Sequence, residues 1–277
     1  MLKTFYITII MLINIFFLGC SEQDDCTADL NGEIIEINTQ QSAANTMATI
    51  KTIFNINDFT VKSIKPVTIL DICNDSNISS YYENVTYGNC KEQNLSHENY
   101  INPYGENRYN YILSNFSISN YNLTNILNIE IGGETSYDEN TNETFIKTSI
   151  SGDISVVSID PDREINLKYK SYSQVYKKEY NKIGKYEIDG VFSYIDTSNS
   201  CTSGIYQLET TDKLTKFDNG GFSGGILNVN GTLFKFNDGG TADVTFSDGS
   251  IAYGISPTDS YCNWKFFSII KLNFNKI

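Results

Sequence analysis

The chain has 277 residues, 40% hydrophobic and 13% aromatic, with 33 acidic residues against 20 basic ones and one histidine. That is enough chain for one large domain or two small ones. So acidic a balance argues against nucleic acid, whose phosphates require a basic surface, and against adhesion to anionic lipid through a polybasic patch.

The chain opens on Met1, Leu2 and Lys3 and then runs apolar from Phe5 to Leu18, interrupted by Thr8 and Asn14. A positive charge before a short apolar core has the form of a secretory signal, and the run falls short of the roughly 20 residues that span a bilayer. It ends in Phe17-Leu18-Gly19-Cys20, which resembles the lipobox of bacterial lipoproteins, with Phe17 where Leu is usual. The resemblance implies removal of residues 1–19 and a diacylglycerol on the Cys20 thiol. Ser21-Glu22-Gln23-Asp24-Asp25 then reads as part of an acidic, flexible tether over 20–32.

The expected body, 33–277, is mainly β: an antiparallel meander forming a curved sheet, open barrel or sandwich, with one short N-terminal helix. Residues 33–38 alternate as a short strand. Ala43, Met47, Ile50 and Phe54 recur at helical spacing, predicting an amphipathic helix from about Gln40 to Phe54 capped by Asn38 or Thr39. Residues 73–121 are rich in Asn, Ser, Tyr and Gly with little periodicity, which predicts long ordered loops or short irregular strands within an irregular part over 33–121. From 122 onward period-two alternation predicts a sheet: Ile165, Leu167 and Tyr169 on one strand, and Tyr186, Ile188, Phe192 and Tyr194 on another with Glu187, Asp189 and Ser193 opposite. Asn230-Gly231, Asp238-Gly239 and Asp248-Gly249 stand between alternating runs and predict type I′ hairpins, with a last strand carrying Trp264, Phe266, Ile270, Leu272 and Phe274. Lys, Asp and Asn on the strand faces, and a lipid tether that would be redundant there, argue against a lipid-facing barrel. Gly190 to Tyr194, Cys201 to Gly204 and Ser223 to Gly231 resemble β-rich envelope lipoproteins of unknown function, from which no activity carries over.

The six cysteines stand at 20, 26, 73, 90, 201 and 262. With Cys20 lipidated an odd number remains, and sequence does not fix connectivity. Pairing Cys73 with Cys90 closes one Asn/Tyr-rich loop and Cys201 with Cys262 staples the C-terminal sheet, leaving Cys26 over; each bond would contribute about 3 to 4 kcal/mol by loop entropy.

No catalytic constellation stands out. His97 lacks a nucleophile motif to serve and reads as a solvated loop residue. Glu187, Asp189, Asp160 and Asp162 are carboxylates of the kind glycoside hydrolysis uses, but an acidic chain has many such pairs. The acidic turns at Asp160 to Asp162, Asp138 to Asn140 and Asp238 to Asp243 match no calcium loop, and turn chemistry accounts for them. No metal or cofactor is implied. The tyrosines at 81, 82, 87, 100, 104, 109, 111 and 121, set among Asn and Ser, have the composition of binding loops. Asp75 to Ser79 and Glu92 to Ser96 place Asn77 and Asn94 in the acidic-x-Asn-x-Ser form that resembles a bacterial glycosylation acceptor.

The expected function is a non-enzymatic binding or structural module, anchored through Cys20 in the bacterial envelope, outer membrane favoured, with its body outside the cytoplasm and a protein or glycan as partner. The alternative is a periplasm-facing carrier with an apolar or sugar ligand in the sheet's concavity; an enzyme using carboxylates comes third. A module needs a flat or filled sheet, a carrier a sizeable apolar cavity, and an enzyme two carboxylates in a cleft.

Overall fold

The computed structural model describes residues 29–64, 79–82, 85–88, 90, 100–101, 107–120, 123–138, 142–159, 162–179, 183–197, 201–216 and 221–259. Among them is one α-helix, α1 (Gln40–Ser63), and thirteen strands. In chain order the strands are β1 (Ser79–Tyr82), β2 (Val85–Gly88), β3 (Tyr100–Ile101), β4 (Asn107–Asn120), β5 (Leu123–Asp138), β6 (Glu143–Ile159), β7 (Asp162–Glu179), β8 (Lys185–Asp196), β9 (Gly204–Lys216), β10 (Phe222–Val229), β11 (Thr232–Phe236), β12 (Ala242–Thr245) and β13 (Ile251–Ile255). They form one antiparallel sheet in the order β1-β2-β4-β5 and onward to β13, with β3 beside the first residues of β4. The described strands do not close into a barrel. The mainly β, meandering architecture expected from sequence is thus what the chain adopts.

Three expectations are corrected. Residues 33–38 do not form a strand: Ile34 makes one parallel bridge to Ile205. The stretch expected to hold loops or short irregular strands also holds a long one, since β4 runs 14 residues and pairs with β5 across position 121, so the sheet does not begin at 122. Of the three Gly-containing turns, only Asn230-Gly231 has positive φ at both residues (50° and 83°). The other two close wider loops, Asn237 to Thr241 and Phe246 to Ser250, in which only a glycine, Gly240 or Gly249, is left-handed.

The helix begins where Thr39 accepts from the Ser42 amide at 3.0 Å while the Ser42 hydroxyl accepts from the Thr39 amide at 3.0 Å, a reciprocal cap. It continues to Ser63, past the expected end at Phe54, because Ile56 and Phe59 extend its buried face. Burial goes nearly all round: Met47, Ile50, Ile53, Phe54, Ile56 and Phe59 are buried, and so are Thr46, Thr49, Thr52, Asn57 and Thr60. Each large apolar side chain contributes about 1.5 to 3 kcal/mol on leaving water, an upper bound given a compact unfolded chain.

What surrounds the helix is the sheet. Thr60 meets Asn125 on β5, Asn57 meets Tyr169 on β7, Phe54 packs edge-on against Tyr172 of β7 and Phe222 of β10, and Met47 and Ile50 close on Phe236 of β11. Flat, β5 and β11 would stand about 29 Å apart at roughly 4.8 Å per strand. Thr60 and Met47 are only about 20 Å apart along the axis at 1.5 Å per residue. The strands curl around the helix to make up the difference.

The bend is built into the backbone. A bulge at Asn115 (φ 50°) of β4, Gly152 of β6 and an extra residue in β7 between Tyr169 and Ser171 fall side by side across adjacent strands. At Gly152 (φ 101°) a Cβ would lie 2.3 Å from the Asn128 carbonyl oxygen, and at Gly190 on β8 it would lie 2.7 Å from the Ser171 carbonyl oxygen. Neighbouring backbones approach too closely there for any side chain.

On one side of this crease the strands are packed and on the other they are open. In β5 burial alternates strictly from Leu123 to Ile131, then lapses to half-buried and exposed through Asp138. β8 shows the same in reverse, exposed at Lys185 and mostly buried from Ile188 to Asp196, with Asp189 exposed. The packed half is also where the N-terminal segment enters: Ile205 donates to the Glu33 carbonyl at 2.8 Å, and the Asn230 side chain donates to both Ile35 and Ile205 carbonyls at 3.0 Å.

Candidate functional site

The trough under α1 is walled by rings. Tyr169, Tyr172, Phe192 and Tyr206 are buried and contact one another at ring separations of 5.5 to 5.7 Å, and Phe222 adds a further ring 4.8 Å from Phe236. They result from strand alternation, which puts every second side chain of β7, β8, β9 and β10 on the helix side. Several also carry hydroxyls, and the helix answers with polar groups. Tyr169 donates to Asn57 Oδ1 at 2.5 Å, and Tyr206 meets Thr49 while donating to the Thr202 carbonyl at 2.8 Å. Burial pushes the phenols of Tyr169, Tyr172 and Tyr206 well above the ordinary tyrosine range, so the wall is uncharged at neutral pH. Not every polar atom in this interface is satisfied: Thr46 Oγ1, Asn57 Nδ2 and Asn125 Oδ1 have no hydrogen-bonding partner.

Two cations are sunk into the sheet among the described residues, each with 7% of its side chain exposed. Arg163, at the start of β7, holds Asp196 on β8 in a fork, with Nε 2.8 Å from Oδ1 and Nη2 against Oδ2; Nη2 also lies 3.1 Å from Cys201 Sγ. Burial lowers the Arg163 guanidinium to about 10, which leaves it charged at neutral pH. This cluster ties the ends of β7 and β8 to the approach to β9. Lys216, at the end of β9, is different because its carboxylate partner, Asp58, comes from the helix. Its ammonium also sits 5.7 Å from the Phe54 ring centre and 5.5 Å from that of Tyr186.

The tyrosines expected in binding loops separate. Tyr87 is buried and stacked on Phe116, and Tyr111 is fully buried, so both are core residues and not contact residues. The physical reason is strand alternation: Tyr111, Leu113 and then Phe116 after the bulge point inward from β4. Tyr81 and Tyr82 lie on β1, Tyr100 on β3 and Tyr109 on β4, while Tyr104 and Tyr121 lie outside the described residues. Cys20, Cys26, Cys73, Cys262, Asn77, Asn94, His97, Asp160 and the strand expected over 264–274 also lie outside them. Cys90 and Cys201 are buried and disulfide-bonded.

Nor do the carboxylates meet in a cleft. Glu187 and Asp189 share the outward face of β8, where Glu187 pairs with Lys213 at 2.8 Å in the open and Asp189 faces Glu209 across the pair of strands. Burial, then Glu209 and Glu187, raise the Asp189 pKa, while the Thr210 amide works against them. Asp243 accepts from Asn237 Nδ2 at 3.3 Å and the Gly254 amide at 3.0 Å, a use that turn geometry alone explains. Among the described residues no group of three or more His, Cys, Asp and Glu could hold a metal, and no helix is long and apolar enough to cross a membrane.

No family model, curated protein or solved structure matches the chain. What the molecule does must therefore be inferred from the arrangement itself: a filled aromatic trough, a buried ion pair, and a sheet that runs on past its core. Sequence patterning located Tyr169 and Phe192 as strand residues but gave no sign of Tyr172, Tyr206 and Phe222, nor of Lys216 and Asp58, which are 158 positions apart.

Proposed function

We propose that the chain is a lipid-anchored envelope lipoprotein whose β body is a non-enzymatic binding module, held by its packed end and presenting the open half of the sheet. The observation that carries this is the polarity of the body. The N-terminal segment enters beside Gly204 and Asn230, at the packed end, while β5 to β8 extend the other way beyond the crease. An anchor at Cys20 would then hold the packed end towards the membrane and leave residues 132–138 and 143–149 facing away from it. One face of it sets the Phe145 ring among Glu134, Lys147 and Lys177, and the other carries exposed Tyr137, the apolar and charged mixture of a protein interface. A carrier needs room in the concavity; there the helix stands, and the cavity beside it, lined by Met47, Ile50, Phe222 and Phe236, holds about 20 Å³, scarcely more than one water.

Peptide mass spectrometry of the membrane-extracted protein, with fractionation of Cys20→Ala, tests the anchor. The expected N-terminal peptide begins at a lipid-modified Cys20, and the variant leaves the membrane; an unmodified Cys20 in a soluble protein overturns it. Amide exchange measured in isolated envelopes and on the purified protein tests the presented surface. Slower exchange over 132–138 and 143–149 in envelopes is expected, and equal rates in both would sink that assignment.

A further inference from the structure

We propose that the trough beneath α1 is a latent binding site for an acidic amphiphile, a single long acyl chain ending in a carboxylate, and that the helix is a displaceable occupant of it. The inference goes beyond the anchored binding module and does not depend on it. Its first support is the pairing at Lys216. Arg163, the other sunken cation, is held by a carboxylate of its own sheet, Asp196, and stays satisfied whatever the helix does. Lys216 is held by Asp58, and the same ammonium lies over the Phe54 ring. Helix α1 therefore offers the wall an anion with an apolar group beside it, and a fatty acid offers the same two groups in the same order. In a chain with net charge −13, an anionic ligand needs such a specific cation to overcome general repulsion.

The second support is the quality of the helix-to-sheet contact. Beside its buried Ile and Phe side chains, α1 also buries Thr46, Thr49, Thr52, Asn57 and Thr60, polar residues that a helix meant only as core would not need. Thr46 Oγ1, Asn57 Nδ2 and Asn125 Oδ1 are left without partners in the docked state. Each recovers hydrogen bonds with water when the helix lifts, so part of the cost of undocking is already present in the closed form. An acyl chain then covers the rings of Tyr169, Tyr172 and Phe222 that the helix leaves, with its carboxylate on Lys216.

The test is photolabelling of the purified full-length protein with a palmitic acid carrying a mid-chain diazirine, compared with the methyl ester of the same probe, followed by peptide mapping. Saturable label is expected on the peptides holding Tyr169 to Tyr172 and Lys216 to Phe222, several-fold stronger for the acid than for the ester. Asp58→Asn, a change at a partly exposed site, should raise labelling by the acid several-fold, because it frees Lys216 and loosens the helix. Lys216→Gln should bring acid and ester to the same level. A Thr60→Cys, Asn125→Cys pair, at side chains that touch at 3.3 Å, should abolish trough labelling once oxidised, against the two single variants as controls. Label restricted to other surfaces, equal labelling by acid and ester, or labelling that Asp58→Asn leaves unchanged would each overturn the proposal, whether or not the cysteine pair folds.

Discussion

The two halves of the long strands are made of the same backbone and differ in what lies against them. In β5, Leu123, Leu127, Ile129 and Ile131 are at most 3% exposed, and farther along the strand Thr135 and Ser136 stand half-open, followed by exposed Tyr137. Hydrogen bonding is continuous across the change, since β5 pairs with β6 without a break from Leu123 to Asp138. Ladder bonds therefore hold the shape of both halves, while side-chain burial is concentrated in one. Stability should reside where the helix is, and the open half should tolerate change.

The sharpest way to break that comparison is a matched pair of truncations. Phe54→Ala, at a ring buried against Tyr172 and Phe222, is expected to cost about 3 to 5 kcal/mol, whereas Phe145→Ala in the open half should cost under about 1 kcal/mol; denaturant midpoints on the same preparation decide it. The charged pairs make a second contrast. Asp196→Asn strands the Arg163 guanidinium in the sheet and should cost about 3 kcal/mol or more, while Glu187→Gln, at an exposed pair, should change stability by less than about 0.5 kcal/mol. A smaller difference is expected at the crease. Gly152→Ala meets the Asn128 carbonyl at a left-handed φ and should lose about 1 to 3 kcal/mol, against little at Gly239, which has nothing within 4 Å.

The last prediction concerns pH. Tyr169, Tyr172 and Tyr206 have folded pKa values raised by burial, so they favour folding fully below the unfolded value of about 10. That contribution declines as pH rises past it towards the folded values. Alkaline titration should therefore show tyrosinate absorbance from these rings appearing together with loss of the sheet's circular dichroism; ionisation well before that loss would place them nearer solvent than the fold does.

Much of this was legible in the residues. Alternation marked Ile165, Leu167 and Tyr169 as one inward face, and all three are buried. The Thr39 cap and the first turns of α1 followed from spacing and capping chemistry. The last turns of the helix escape sequence patterning because Asn55, Asn57, Asp58 and Thr60 are weak helix formers, and Asn57, Asp58 and Thr60 are held by partners on distant strands that no local pattern reports. Tyr87 and Tyr111 have the composition of binding loops but the position of core residues; Tyr111 and Leu113, two apart, carry the strand signal. Asp238-Gly239 and Asp248-Gly249 marked turns correctly but not their width, which depends on how the flanking strands twist. The trough was invisible for a plainer reason: its polar contacts join residues such as Asn57 and Tyr169, 112 positions apart.

Those separations set an order of events. Strand pairs in the meander join neighbours in sequence and can zip up as the chain emerges, the rapid, local kind of folding. The helix precedes every strand it packs on, and its contacts with Phe222 and Phe236 wait for β10 and β11 to arrive. Until then its apolar face has no wall to meet, so the slowest step of folding should be the docking of the earliest-made element. A chaperone that shields one segment of this protein would do most good at residues 40–63.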